Sequence, residues 1–146
     1  HHSKPEGAVR RLFCFAGVST VILGIGADLC SITRMTRALQ SAHFRDSIFH
    51  EEEISYAAKQ ALPARHFASS FAAREALAKA TGITTFVIVM KGAWVVRTEN
   101  GPCFRYNSNV SSLLREKGIR KAWLTMSHEG DFAMACVVVE GDYSDR

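Results

Sequence analysis

Residues 63–82 carry the strongest helical signal in the chain and constrain its architecture most. Pro63 stands where a helix starts and Gly82 where one stops, the usual asymmetry for these two residues. Glu75 lies inside this stretch. Its neighbours at three, four and seven residues are Ala68, Phe71, Ala72, Ala78, Lys79 and Gly82. The stripe is small and apolar apart from Lys79, so Glu75 is expected to point inward. A buried carboxylate is costly without a partner. The simplest partner is Lys79, one turn on.

A second carboxylate stands in a similar setting. Val21-Ile22-Leu23-Gly24-Ile25-Gly26-Ala27-Asp28 reads as a strand, with Val21, Leu23, Ile25 and Ala27 on one face and Ile22, Gly24, Gly26 and Asp28 on the other. The glycines leave room for something to approach closely, and Asp28 closes that vacated track. Taken alone, Asp28 could simply bond nearby backbone in a turn. Taken with Glu75, it points to a shared divalent cation. Magnesium uses one or two carboxylates and completes its shell with water and substrate phosphate; manganese could replace it. Lys79 then offers a point charge to a phosphate, or is a solvated lysine favoured at a helix C-terminus.

The rest of the chain places these groups. Ser31 is a candidate cap for a helix over 31–41, which sets Arg34 and Arg37 on one face. Glu51-Glu52-Glu53 opens a second helix to about Gln60, with acids where the helix dipole favours them. Strands are expected at 86–90, 93–98, 103–106, 121–126 and 132–140, with a turn at Asn100-Gly101-Pro102 and a helix over 108–117 closed by Gly118. One early strand, then helices, then mainly strands make an α+β pattern. The connection Ser127-His128-Glu129-Gly130-Asp131 offers His128 as a general base or water-orienting group, or as an ordinary surface histidine.

Bulk properties narrow the partners. The 146 residues fit one domain, taken as 21–146; His1 and His2 read as a tag remnant and 3–20 as an arm. A net charge of +4 favours acidic partners. Arg34, Arg37 and Arg45 form a basic cluster, either a docking surface for an acidic protein or a solvated face. No aromatics interleave with them, which argues against nucleic acid. No long apolar run suggests a membrane span. Cys14, Cys30, Cys103 and Cys136 form no CxxC pair, so they read as single thiols in a reducing compartment, the cytoplasm. The basic-apolar run Arg10-Arg11-Leu12-Phe13-Cys14-Phe15 leaves an organellar address open as the alternative.

Taken in order, these segments resemble the holo-[acyl-carrier-protein] synthase family, the small 4'-phosphopantetheinyl transferases. Residues 22–28 resemble the family's opening strand. Phe71-Ala72-Ala73-Arg74-Glu75-Ala76-Leu77-Ala78-Lys79 resembles its F-A-x-K-E-A-x-x-K helix, and Ser127-His128-Glu129 its late S-H-[ED] turn. Phe49-His50-Glu51-Glu52-Glu53 is similar to its F-T-x-x-E segment, and Asn100-Gly101-Pro102 to its N-G-K-P turn, one residue short. The resemblance covers about residues 21–140.

It implies an antiparallel sheet with a long central helix and a homotrimer with active sites between subunits. It implies transfer of 4'-phosphopantetheine from coenzyme A to a serine of an apo acyl carrier protein, releasing adenosine 3',5'-bisphosphate. Asp28 and Glu75 would hold magnesium, with Glu75 also counted among the catalytic groups beside His128 and Glu129. Lys79, Arg74, Arg65 and His128 would contact coenzyme A. Arg34, with Arg37 and Arg45, would meet the carrier. The alternative is a non-catalytic module that binds acidic carrier proteins. A metal-dependent phosphohydrolase ranks below both, since no further carboxylate cluster suggests a two-metal site. Three departures from the family pattern stand out. Ser70 occupies a position that is usually basic, leaving Arg65 to compensate. Arg74 replaces a lysine. His50 replaces a threonine, so the second helix is expected to lose a good N-cap.

Overall fold

The computed structural model describes residues 19–143. The tag remnant and nearly all of the 3–20 arm lie outside them. Strand β1 (Thr20–Ser31) leads directly into helix α1 (Ile32–Ala38). Helices α2 (Ala42–Ile48), α3 (Glu51–Ala58), α4 (Pro63–Thr81) and α5 (Thr85–Val89) follow. The hairpin β2 (Ala93–Thr98) and β3 (Gly101–Tyr106), helix α6 (Ser108–Glu116), and the hairpin β4 (Ile119–Glu129) and β5 (Phe132–Asp142) complete the chain. β5 is the centre of an antiparallel sheet in the order β1-β5-β4. The expected α+β class, antiparallel sheet and long central helix are all present.

The sheet buries one face only. Ala133, Ala135, Val137 and Val139 of β5 point inward and are fully buried against α4. The small residues of α4, including Ala72, Ala73 and Ala76, let that helix sit low on the sheet. Gly24 and Gly26 let it sit lower still. A Cβ on Gly24 would stand 1.8 Å from the Ala80 carbonyl oxygen, and one on Gly26 2.0 Å from that of Ala76. The glycine track expected to admit a ligand therefore admits the backbone of α4 itself. A bulge between Ile22 and Gly24 also shifts the expected alternation: Leu23 joins the core side, while Ile22 faces out.

Local signals explain most boundaries. Ser31 caps α1, its hydroxyl accepting from the Arg34 amide. Gly82 ends α4 in the left-handed conformation at φ 76°. Three expectations fail. Helix α2 was not anticipated; Ser41 starts it, accepting from the Phe44 amide at 3.1 Å. The expected strand at 86–90 is the short helix α5, because a helical turn buries Ile88 and Val89 together and outweighs a β-propensity of about 1 kcal/mol at most. His50 does cap α3: its Nδ1 accepts from the Glu52 amide at 3.1 Å, and Glu53 returns the bond to the His50 amide at 3.0 Å.

The contact between α4 and β1 yields a test. Gly26→Ala is expected to lower stability by about 1–3 kcal/mol, since a backbone carbonyl cannot rotate out of the way. A urea titration would show a lower midpoint at constant slope; an unchanged midpoint would contradict the close approach.

Candidate active site

The packing that seats α4 on β1 also builds the site. Ala76 lies over Gly26, so Glu75, one residue earlier, comes beside Asp28, two residues further along β1. Lys79, one turn on, reaches back. Its Nζ donates to Asp28 Oδ1 at 2.9 Å and to the Ala27 carbonyl at 3.1 Å. The partner expected for Glu75 is thus bound to the other carboxylate. The Asp28 side chain is 15% exposed and that of Lys79 58%.

The corner is short of positive charge. Burial pushes the Glu75 carboxyl above its ordinary value, and the Asp28 carboxylate adds to the shift; Lys79 and Arg34 oppose it. The Cys30 thiol, on the same face of β1, is pushed up to about 11, by burial first and then by Glu75 and Asp28. The residues present fit a hard divalent ion: two carboxylates share one corner, and a cation would relieve the repulsion between them. Among the described residues no cluster of three or more His, Cys, Asp or Glu side chains forms. Two protein ligands leave the remaining positions to substrate phosphate and water, as magnesium prefers.

Two of the pockets along α4 bear on the site. One, of about 240 Å³, opens beside Glu75, with Leu29, Met35, Phe44 and Phe71 as its apolar lining and Arg34 at its side. Phe71, already expected beside Glu75, is joined by Phe44, which the sequence did not mark because packing across α2 and α4 has no local signature. Arg34 therefore joins the carboxylate corner. Arg37 lies near Asp131, close enough to act on that carboxyl. Arg45 stands apart on α2, its charge shared with Asp46 at 2.9 Å.

The other pocket is a cleft of about 260 Å³, whose lining includes Arg65, His66, Ser69, Arg97, Ser127 and His128. Arg65 and His128, both read as coenzyme A contacts, meet here. Arg97 and His66 join them and were missed, since nothing in a strand's alternation or a helix's first turns marks them. Burial, then Arg97, Arg65 and His128, pull the His66 pKa below its ordinary value. Arg97 lies over the Tyr56 ring at 4.7 Å, and among the described residues no carboxylate forms a salt bridge with Arg97 or Arg65. A cleft of unpaired cations attracts an anion.

His128 does not sit in a loop. β4 runs through Glu129, and His128 pairs with Ala133 of β5. Adjacent strand residues face opposite ways, so Glu129 turns to the outer face while His128 faces the cleft. The two do not converge on one point within a protomer. His128 and Asp28 also lie on different strands with β5 between them, which sets them about 10 Å or more apart.

Arg74 is corrected outright. It is wholly buried and cannot present charge to a phosphate. Its guanidinium pairs with Glu53 and donates to the carbonyls of Ala93 at 2.8 Å and Ile48 at 3.1 Å. Glu53 also accepts from the Val95 amide at 2.9 Å. The pair fastens α3 and α4 to β2. Its position on α4, one residue before Glu75, suggested the site; the helix turn between them points it into the core.

With this geometry in hand, the comparisons with known proteins are decisive. The profile of the 4'-phosphopantetheinyl transferase superfamily matches residues 24–137. The chain belongs to this superfamily. A holo-[acyl-carrier-protein] synthase from Arthrobacter sp. (strain FB24) is 34% identical over 122 residues, covering 83% of this chain and 100% of the relative. The crystal structure of holo-[acyl-carrier-protein] synthase from Neisseria meningitidis superposes with a TM-score of 0.74 at 33% identity, covering 82% of this chain and 98% of that one. The Bacillus anthracis synthase, solved in complex with CoA (3',5'-ADP), gives 0.66 at 28% identity over 83% of this chain and 98% of that one.

In this transferase fold, the raised Glu75 pKa has a measurable consequence. Between the unfolded and folded pKa values the native state binds the extra proton, so stability falls as pH rises through that window. Without divalent ions, Glu75→Gln is expected to raise Tm at pH 7. The gain should shrink as pH falls through the window, where the wild-type carboxyl protonates. A lower Tm at pH 7 would show that Glu75 is favourably paired as an anion.

Proposed function

We propose that this protein is a magnesium-dependent holo-[acyl-carrier-protein] synthase acting in the cytoplasm. It transfers 4'-phosphopantetheine from coenzyme A to a serine of an apo acyl carrier protein. The observation that carries this reading is the Asp28–Glu75 corner, where two carboxylates share one space and Lys79 is bound to Asp28. The relatives named above are holo-[acyl-carrier-protein] synthases, and one was solved in complex with CoA (3',5'-ADP).

The serine oxygen attacks the pantetheine-side phosphorus of the diphosphate. A P–O bond forms, the bridging P–O bond breaks, and adenosine 3',5'-bisphosphate leaves with the electron pair. Asp28 and Glu75 would hold the magnesium ion, which would supply charge neutralisation to the diphosphate and the leaving phosphate. Lys79 lies one helical turn beyond Glu75 and offers its ammonium to phosphate oxygens. Arg65 and Arg97 give the cleft its positive charge, which suits the remaining phosphate of the donor. His128 takes the serine proton, directly or through water. The carrier approaches over Arg34 and Arg37, whose charge suits an acidic surface. Orientation and fixed charge supply most of the acceleration in such a reaction.

Within one protomer the carboxylate corner and the His128 cleft lie on different flanks of α4. A homotrimer with sites between subunits lets one protomer give the first and its neighbour the second. The outer sheet face supports self-association: Ile25 is 63% exposed, Leu29 64% and Trp123 55%, with Ala27 among them.

Incubation with coenzyme A, magnesium and apo carrier protein is expected to add the phosphopantetheine mass to the carrier, and a chelator should abolish the gain. Glu75→Gln should lose transfer while remaining folded. Carrier binding with no mass gain in any condition would favour the non-catalytic docking module instead. For the assembly, light scattering should report a trimer for wild type and a smaller species for Ile25→Lys, with transfer reduced. A fully active monomer would overturn the shared site.

A further inference from the structure

Asp131, which lines a pocket with Arg65 and His128, accepts four hydrogen bonds from α1 and its cap. Asp131 stands at the tip of the β4–β5 hairpin, after Gly130 at φ 56°. Its Oδ1 accepts from the Thr33 amide at 2.9 Å and the Thr33 hydroxyl at 2.6 Å. Its Oδ2 accepts from the Ser31 hydroxyl at 2.7 Å, and its carbonyl accepts from the Ile32 amide at 2.7 Å. Ser31 Oγ in turn accepts from the Arg34 amide at 3.2 Å. The first three amides of α1 thus end on the hairpin tip, two directly and one through Ser31.

These bonds matter because α1 is weak alone. It has seven residues, too few to hold a helix by propensity. Unanchored, its leading amides would be left to water. Asp131 itself is solvent-exposed, so its bonds bear more on where α1 lies than on global stability. What it joins is informative. Asp28 lies three residues before Ser31 on β1. His128 lies three residues before Asp131 on β4. Arg34 and Arg37 project from α1.

We propose that Asp131 is a positioning residue, which fixes the docking helix α1 against the strands that carry Asp28 and His128. The proposal rests on the reading of Arg34 and Arg37 as carrier-docking residues. Asp131 holds α1 at the angle from which a docked serine can reach the donor phosphorus. Coenzyme A binding does not depend on it.

The test uses the full chain in its native assembly. Asp131→Ala is expected to raise KM for the carrier about tenfold, the scale of a lost helix cap, with KM for coenzyme A unchanged. Asp131→Asn keeps the Oδ1 acceptor for both Thr33 donors and should recover most of the loss. Amide exchange should quicken at Thr33 and Arg34 in Asp131→Ala while β5 stays protected. Equal rises in both KM values, or an asparagine variant no better than alanine, would overturn the positioning role. Unchanged exchange in α1 would overturn the clamp, whatever the kinetics. Arg34→Ala is assayed alongside: if it leaves the carrier KM unchanged while the exchange result holds, the docking reading has failed and the clamp has not.

Discussion

The carboxylate corner depends on how closely α4 lies against β1. Gly24 and Gly26 carry no side chain, and carbonyl oxygens of Ala80 and Ala76 fill the space. A Cβ at either glycine would meet the α4 backbone and push Glu75 away from Asp28. The ligand corner begins where the glycines stop, at Asp28. Small residues on both elements therefore hold charged groups together, a task more often given to bulky, well-fitted side chains.

A second constraint keeps α4 in place along its length. Arg74 and Glu53 form a buried pair whose further bonds run to the backbone at Ile48, His50, Ala93 and Val95. Breaking such a pair by removing one partner costs about 3–5 kcal/mol, because the other charge is left stranded. Arg74 immediately precedes Glu75. The core anchor and the site carboxylate are thus consecutive residues pointing in different directions, and any slide of α4 that helped one would displace the other.

Much of this was legible in the sequence, for identifiable reasons. Pro63 and Gly82 bound α4 because their backbone preferences act locally. Asp28, Glu75 and Lys79 were singled out because alternation and helical spacing put them among small neighbours. Their pairing was not: Lys79 reaches Asp28, a contact between residues 51 apart that no local pattern encodes. The glycine track was seen, but a missing side chain does not say what fills the space. Arg74 looked like a ligand for phosphate, since its burial follows from Glu53, which enters from another helix. Arg97 and His66 went unnoticed because their cleft exists only once β2, β4 and α4 meet. The run Phe86–Met90 looked like a strand because its β-branched residues carry that preference, while the burial of Ile88 and Val89 is decided by the fold around them.

Lys79 has a bearing on which ions the corner would hold. Its ammonium already rests on Asp28 and on the carbonyl of Ala27. An arriving cation does not fall into empty space; it must compete with a tethered charge that never leaves the neighbourhood. Sodium or potassium, singly charged like the ammonium, has little to gain from that exchange. A doubly charged ion draws on both carboxylates at once, and the displaced lysine remains close by with its own charge free. On the proposed reading, the lysine would be a resident placeholder that favours a doubly charged occupant over a singly charged one.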